Sequence, residues 1–260
     1  MTKTRIHPGP GPASGAVSTL PNYYDATAGM YDVLRTEKAG KDYAAEAGRV
    51  SELIRSACPH AVTLLDVACG TGLHLEHFRR SFTCTGIDLS APMLGVAAGR
   101  LPDVALHQAD MMDFQLPQRF DAITCLFGSI AYGRTVENLH RAVARMAAHL
   151  APAGVLIVEP WYQPDTFHPH TWSTLLDRDD ARIVEVGRSW KEGPRSYFES
   201  QFLTCTEAGI EHLSVLEEQG LFRWAEYSAA MRSAGLASSS LDEPGRWQNR
   251  GIFVAKREFQ

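Results

Sequence analysis

Much that would mark a secreted, membrane-bound, metal-dependent or nucleic-acid-binding protein is missing from this sequence. Its five cysteines are odd in number and no two are spaced Cys-x-x-Cys, which argues against a disulfide framework or structural zinc and for reduced thiols in a cytoplasm. No apolar run is long enough to span a bilayer, since the longest, residues 142–158, is interrupted by Arg145 and His149. Positive charge is not in excess either. With a formal net charge of -5, neither nucleic acid nor a membrane surface is an expected partner. Residues 1–21 are rich in Pro, Gly, Ser and Thr without the apolar core of a signal peptide, and read as a flexible tail. His74 and His77 stand one helical turn apart with no third ligand in view, so they are expected to be solvated or capping and no metal site is predicted. The pair His168 and His170 reads as an ordinary loop.

What remains is a chain able to bury a full core. With 45% hydrophobic residues, residues 22–260 are expected to form a single elaborated domain. Helical spacing of apolar residues over 42–57 leads into a strand at 62–68. A helix to residue 80, a strand at 83–87, a helix at 91–100 and strands at 104–107 and 121–127 follow. A longer helix, 136–150, ends at Pro152 and Gly154 before a strand at 155–158. Strand and helix alternating in this way predict an α/β fold with a Rossmann-like, doubly wound, mostly parallel sheet. Beyond Glu159 the pattern changes. Three alternating β-rich runs, 183–190, 197–206 and 210–217, read as an antiparallel meander inserted at about 160–220. A helix at 222–234 and strands at 236–241 and 251–256 return the chain to the sheet.

The chemistry concentrates at Leu64-Leu65-Asp66-Val67-Ala68-Cys69-Gly70-Thr71-Gly72, with Asp88 at the tip of the next strand. Small residues let a backbone approach a ligand closely, and an acid at the second strand tip can accept both ribose hydroxyls. The dinucleotide fingerprint needs a third glycine, but Gly72 is followed by Leu73-His74-Leu75. Read as Asp-x-Ala-x-Gly-x-Gly, the stretch resembles the first motif of class I S-adenosylmethionine methyltransferases. On that reading Asp66 faces the ammonium of the cofactor, while Ala68, Gly70 and Gly72 admit its methionine portion. Asp88 takes the ribose hydroxyls, and Asp110 with Met111 meets the adenine. Met93, Leu89 and Leu126 complete the cofactor site.

A closer resemblance rests on Gly40-Lys41-Asp42-Tyr43, on His74-Leu75-Glu76-His77-Phe78, on Gln108-Ala109-Asp110-Met111 and on Glu159-Pro160-Trp161. These segments are similar to the N,N-dimethyltransferases that act on nucleotide-linked (TDP) 3-amino deoxysugars in macrolide biosynthesis. The resemblance implies a homodimer, with Tyr31 over the cofactor and Tyr132 beside the reacting amine, these two being the catalytic candidates. It also implies substrate contacts from Lys41, Tyr43, Trp161 and Arg250, the last as a planar clamp for a diphosphate. The chain departs from the family pattern in three ways: Tyr162 stands where a second tryptophan is usual, Gln248-Asn249 precede Arg250 where the family has Ser-Gly, and one extra residue falls near Arg35 to Gly40 after a longer tail. Among the tryptophans, only Trp161 has a position that suggests contact with substrate.

Methyl transfer asks mainly for positioning in a dry, shaped site, so few catalytic groups are required. The residues leave other readings open. A small-molecule O-methyltransferase would share the cofactor half, a catalytically silent cofactor-binding subunit would share the fold, and an NAD-dependent oxidoreductase is disfavoured by the missing glycine.

Overall fold

Two sheets of different character build the protein, one mostly parallel and buried between helices, the other antiparallel and one-sided. The computed structural model describes residues 22–38, 41–243, 247 and 250–257. The tail read at 1–21 lies outside the described residues, as do Gly40, Gln248 and Asn249.

The described chain opens with α1 (Tyr23–Thr27), capped by Asn22, whose side chain accepts from the Tyr24 amide at 2.9 Å. A helical turn, α2 (Tyr31–Val33), runs on into a π-helical turn at Leu34–Lys38. Then come α3 (Tyr43–Ala57), β1 (Thr63–Val67), α4 (Leu73–Phe78), β2 (Thr83–Asp88), α5 (Ala91–Arg100), β3 (Ala105–Gln108) and β4 (Phe120–Cys125). A 3-10 turn at Ser129–Gly133 precedes α6 (Val136–Ala148) and β5 (Leu150–Val158).

α6 shows why these elements form. Leu139, Ala142, Val143, Met146 and Ala147 fall on one stripe and are all buried, while the Thr135 hydroxyl caps the helix by accepting from the Asn138 amide at 3.2 Å. Each large side chain buried on such a stripe contributes about 1.5–3 kcal/mol. Pro152 and Gly154, expected to separate helix from strand, instead lie within β5, where the register with β4 slips between Phe120 and Ala122. Gly154 fits there because an added Cβ would sit about 3 Å from the carbonyl oxygens of Phe120, Ala151 and Asp121.

The second sheet has four antiparallel strands rather than three: β6 (Thr171–Asp177), β7 (Arg182–Glu192), β8 (Arg195–Thr206) and β9 (Gly209–Gly220). The missed strand is β6, and it belongs because Trp172 lies directly opposite Gly187 on β7, with its ring covering the space a Cβ would need. The chain closes with α7 (Trp224–Ser233), β10 (Leu236–Leu241) and β11 (Ile252–Arg257). Strand order in the first sheet is β10-β11-β5-β4-β1-β2-β3, with β11 antiparallel to both neighbours. This is the expected Rossmann-like architecture. Apolar clusters fill both faces of that sheet, and a third cluster joins the start of the chain to the second sheet through Tyr23, Tyr31, Phe202 and Val215.

Candidate active site

The carboxyl ends of β1, β2 and β4 border a cavity of about 490 Å³. They do so where the strand order reverses around β1, the crevice in which open α/β sheets hold ligands. After β1 the backbone turns through Ala68 (φ 59°) and Gly70 (φ 57°), a left-handed conformation that costs an alanine roughly 1–2 kcal/mol and a glycine almost nothing. The loop is pinned to β2 by the Cys69 amide, which donates to the Ile87 carbonyl at 3.0 Å. A Cβ on Gly70 would meet nothing within 4 Å, so this part of the loop borders open space.

Acids stand at three strand tips. Asp66 is buried, accepts from the Thr124 hydroxyl at 2.6 Å, and has its pKa pushed up to about 6 by that burial. Asp88 accepts from the Gly70 amide and from the Ser90 amide, each at 2.8 Å; burial raises its pKa against the pull of those bonds. Asp110 accepts from the Met112 amide at 2.8 Å and lines the cavity beside Met111. The Asp88–Gly70 bond ties the acid on the second strand to the glycine loop on the first.

The opposite wall comes from the beginning of the chain and from β9. Asp32 fastens the first segment to the loop: its Oδ1 accepts from the Thr71 hydroxyl at 2.5 Å, and Arg100 donates both to Asp32 and, at 2.6 Å, to the Thr71 carbonyl. Ser90 donates to Asp25 Oδ1 at 2.5 Å. Tyr132 Oη accepts from Tyr24 Oη and from Gln219 Nε2, both at 2.8 Å, and donates to Glu217 Oε2. Burial raises the Tyr24 and Tyr132 phenols well above their usual range, so both keep their protons.

A second cavity of about 250 Å³ adjoins the first. Its wall is aromatic, with Phe127, Trp161, Tyr162, Trp172 and Phe198. Behind it lies Arg250, buried and ion-paired with buried Glu159, its guanidinium 4.8 Å from the Trp161 ring centroid and 5.4 Å from that of Tyr162. Arg250 Nε and Nη1 are buried without hydrogen-bond partners, a costly state for charged donors unless a ligand supplies acceptors. Glu159 Oε2 accepts from the Phe127 amide at 2.6 Å, which holds the left-handed pair Phe127 and Gly128 in place.

Most of the residues read from sequence converge here. Tyr31, Tyr43, Asp66, Ala68, Gly70, Asp88, Leu89, Asp110, Met111 and Leu126 line the first cavity, Trp161 the second, and Tyr132 both. Four stand elsewhere. Gly72 caps α4, and its missing Cβ makes room for Leu101 rather than for a ligand. Met93 is fully buried in the cluster beneath Tyr23 and Tyr31. Lys41 is 4% exposed, paired with Glu46 and lying over the Phe127 and Tyr43 rings, while Arg250 stays behind the aromatic wall. His74, expected to be solvated or capping, is buried and bonded to Glu46 at 3.0 Å. Among the described residues no cluster of His, Cys, Asp and Glu could hold a metal ion, and no helix is long and apolar enough to cross a membrane.

Sequence reading passed over Tyr24, Glu217 and Gln219, gave Phe127 only as the start of a loop, and set Trp172 aside as core or interface. Strand alternation carried a signal for two of them: Leu213, Val215, Glu217 and Gln219 share the face of β9 on which Val215 is buried.

A family model described as a methyltransferase domain matches residues 64–154. The chain is 45% identical, over 87% of its own length and 96% of the relative's, to a dTDP-3-amino-3,4,6-trideoxy-alpha-D-glucopyranose N,N-dimethyltransferase of Streptomyces venezuelae. It is 40% identical, over 88% and 92%, to a dTDP-4-amino-2,3,4,6-tetradeoxy-D-glucose N,N-dimethyltransferase of Saccharopolyspora spinosa. Its fold is similar, with a TM-score of 0.79, to S-adenosylmethionine-bound CalS10, an amino pentose methyltransferase from Micromonospora echinaspora; the match is 39% identical and covers 88% of this chain and 97% of that one. S-adenosylmethionine is the cofactor, and the residues present fit it: a glycine loop bordering open space, acids at three strand tips, and a buried Tyr43 hydroxyl without a partner. These likenesses, reached from an acid-tipped cavity beside an aromatic one, settle the family: the chain belongs to the S-adenosylmethionine-dependent amino-sugar N,N-dimethyltransferases.

Proposed function

We propose that the enzyme dimethylates the amine of a dTDP-linked amino deoxysugar in antibiotic biosynthesis, working in the cytoplasm as a homodimer. The observation that carries the substrate reading is the second cavity: aromatic side chains able to stack on a base and sugar line it, and a buried arginine with two unpartnered donors lies against that wall. The relatives' named substrates carry the amine at either the 3 or the 4 position of the sugar.

The bound cofactor supplies an electrophilic methyl group. The chain's own residues do the rest. Asp88 accepts the ribose hydroxyls, Asp110 and Met111 meet the adenine with Leu89 and Leu126 beside it, and Ala68 and Gly70 leave room for the methionine portion. Asp66 faces the ammonium, Tyr31 covers the cofactor, and Tyr132 stands where the amine is presented. Trp161 contacts substrate, with Arg250 behind it as the clamp for the diphosphate, while Tyr43 borders the first cavity with Lys41 over its ring. Residues 22–260 act as one domain, since the first cavity takes side chains from both sheets.

The dimer reading is supported by an apolar row across the outer face of the second sheet, where Leu175, Val184 and Leu203 stand directly opposite one another and are 64%, 37% and 46% exposed. Five free cysteines, four of them buried, agree with a reducing compartment.

The test is incubation with S-adenosylmethionine and dTDP-3-amino and dTDP-4-amino deoxysugars, read by mass spectrometry. Gains of two methyl groups on one of them are expected. Tight cofactor binding with no transfer to either would overturn the substrate reading.

A further inference from the structure

The two cavities share five lining residues, Tyr23, Tyr24, Phe127, Tyr132 and Glu217. A methyl group passed from a donor in the first to an acceptor in the second crosses that wall, so the side chains that meet the reacting nitrogen belong to this set. Three are phenols that hold their protons, and one is a phenyl ring. Glu217 alone among them carries a carboxylate able to accept a proton, and it is the one carboxylate among the described residues that lines both cavities.

Its surroundings leave it ready to do so. Oε2 is occupied by the Tyr132 hydroxyl, which already accepts from Tyr24 and Gln219, whereas Oε1 has no hydrogen-bond partner among the described residues. The charged and titratable groups facing it are Arg35, Glu185, Tyr23, Tyr24, Tyr31 and Tyr132. Burial raises its pKa more than Arg35 and the Tyr132 bond lower it, which brings its basicity closer to the working pH.

We propose that Glu217 is the catalytic proton acceptor of the methyl transfer, receiving the N–H proton of the acceptor amine on Oε1. This rests on the reading of the acceptor as an amino sugar. An alkylammonium titrates far above neutrality, at about 10.4 for an unperturbed lysine, so the amine arrives as a cation with its lone pair engaged. Glu217 pairs with that cation and takes one proton. The freed lone pair forms the C–N bond as the methyl C–S bond breaks, with the electron pair going to sulfur. The methylated nitrogen is again a cation and a second proton leaves for the second transfer. One proton per methyl passes through Glu217 to water, so two methylations discharge two protons.

The experiment compares Glu217→Gln with wild type on a dTDP-amino sugar across pH 6.5–9.5. At pH 7.5 kcat should fall about a hundredfold, the scale of a lost general base, and climb with pH as the amine deprotonates in solution. Binding of S-adenosylhomocysteine, measured by calorimetry, should be unchanged. Glu217→Asp should recover part of the rate. Should the glutamine variant fail to bind cofactor, Tyr132→Phe decides: it removes a bond that lowers the basicity of Glu217, so the acidic limb of kcat should move to higher pH. Active wild type with an unimpaired Glu217→Gln, a loss equal at every pH, or an unmoved limb in Tyr132→Phe would overturn this proposal alone. A wild type that binds cofactor but methylates no nucleotide amino sugar would overturn the substrate reading and this assignment with it.

Discussion

Arg250 and Glu159 form a buried pair in which each carboxylate oxygen has a separate duty: Oε1 takes the guanidinium, and Oε2 takes the Phe127 amide at 2.6 Å. A C-terminal arginine thereby fixes a loop after β4 that borders both cavities.

Removing one partner leaves the other charged and buried. Arg250→Ala should lower stability by about 3–5 kcal/mol, the usual cost of an orphaned buried charge. Urea denaturation measures it, and the double variant with Glu159→Gln should regain part of the loss. A single variant as stable as wild type would mean that water reaches Glu159.

Gly128 offers a test of the aromatic wall. Its φ of 70° suits glycine, and a Cβ there would lie 2.5 Å from Trp161 Cε3. Gly128→Ala should push the indole aside and raise the acceptor KM about tenfold, since small misplacements of positioning groups are costly. Cofactor affinity should hold. Equal loss of both would show the loop, not the tryptophan, to be the element disturbed.

Asp66 gives a pH dependence with a definite sign. Its pKa in the folded protein, about 6, exceeds the unfolded value, so the folded state binds the proton more tightly. The group disfavours folding above pH 6, and that penalty of about 3 kcal/mol fades as pH falls from 6 to 4. Cofactor binding runs the other way, because an ammonium is held by the ionised form. The Kd for S-adenosylhomocysteine should rise below pH 6 by up to about tenfold per pH unit, and Asp66→Asn should flatten the curve. A wild-type Kd constant from pH 7.5 to 5 would remove Asp66 from the site.

The outer face of the second sheet makes the association prediction. Val184→Glu places a charge in the middle of the apolar row and Leu203→Lys one at its end; either should shift a dimer to monomer in light scattering after gel filtration. A wild type already monomeric at micromolar concentration would dispose of the homodimer reading.

How far the sequence could be read depended on whether the signal was local. α5 was readable to the residue at Ala91–Arg100, because Ser90 caps it, Pro92 suits its first turn and its apolar residues share a face. The placement of Asp66, Asp88 and Asp110 beside one cavity was readable because strand tips of a parallel sheet converge on its carboxyl edge. β6 was hidden, since Trp172 makes sense only against Gly187 on the next strand. Gly72 and Met93 were assigned to the ligand although their neighbours are Leu101 and the cluster around Tyr23 and Tyr31. Glu217 was legible only as an inward strand position; its meeting with Tyr24 and Tyr132, at sequence separations of 85 and more, is a product of tertiary structure.

The cluster that unites Tyr23 and Tyr31 with Phe202 and Val215 also sets an order of events during synthesis. The roof of the first cavity takes one half from the first residues of the described chain and the other from β9, so it cannot close until translation has passed residue 220. The nascent parallel sheet can assemble its strand-tip acids long before that, but they stay open to water until the inserted sheet arrives. Capture of the cofactor within a closed site therefore reports that both sheets have docked, and ligand-dependent protease resistance in a translation reaction should appear late and in a single step.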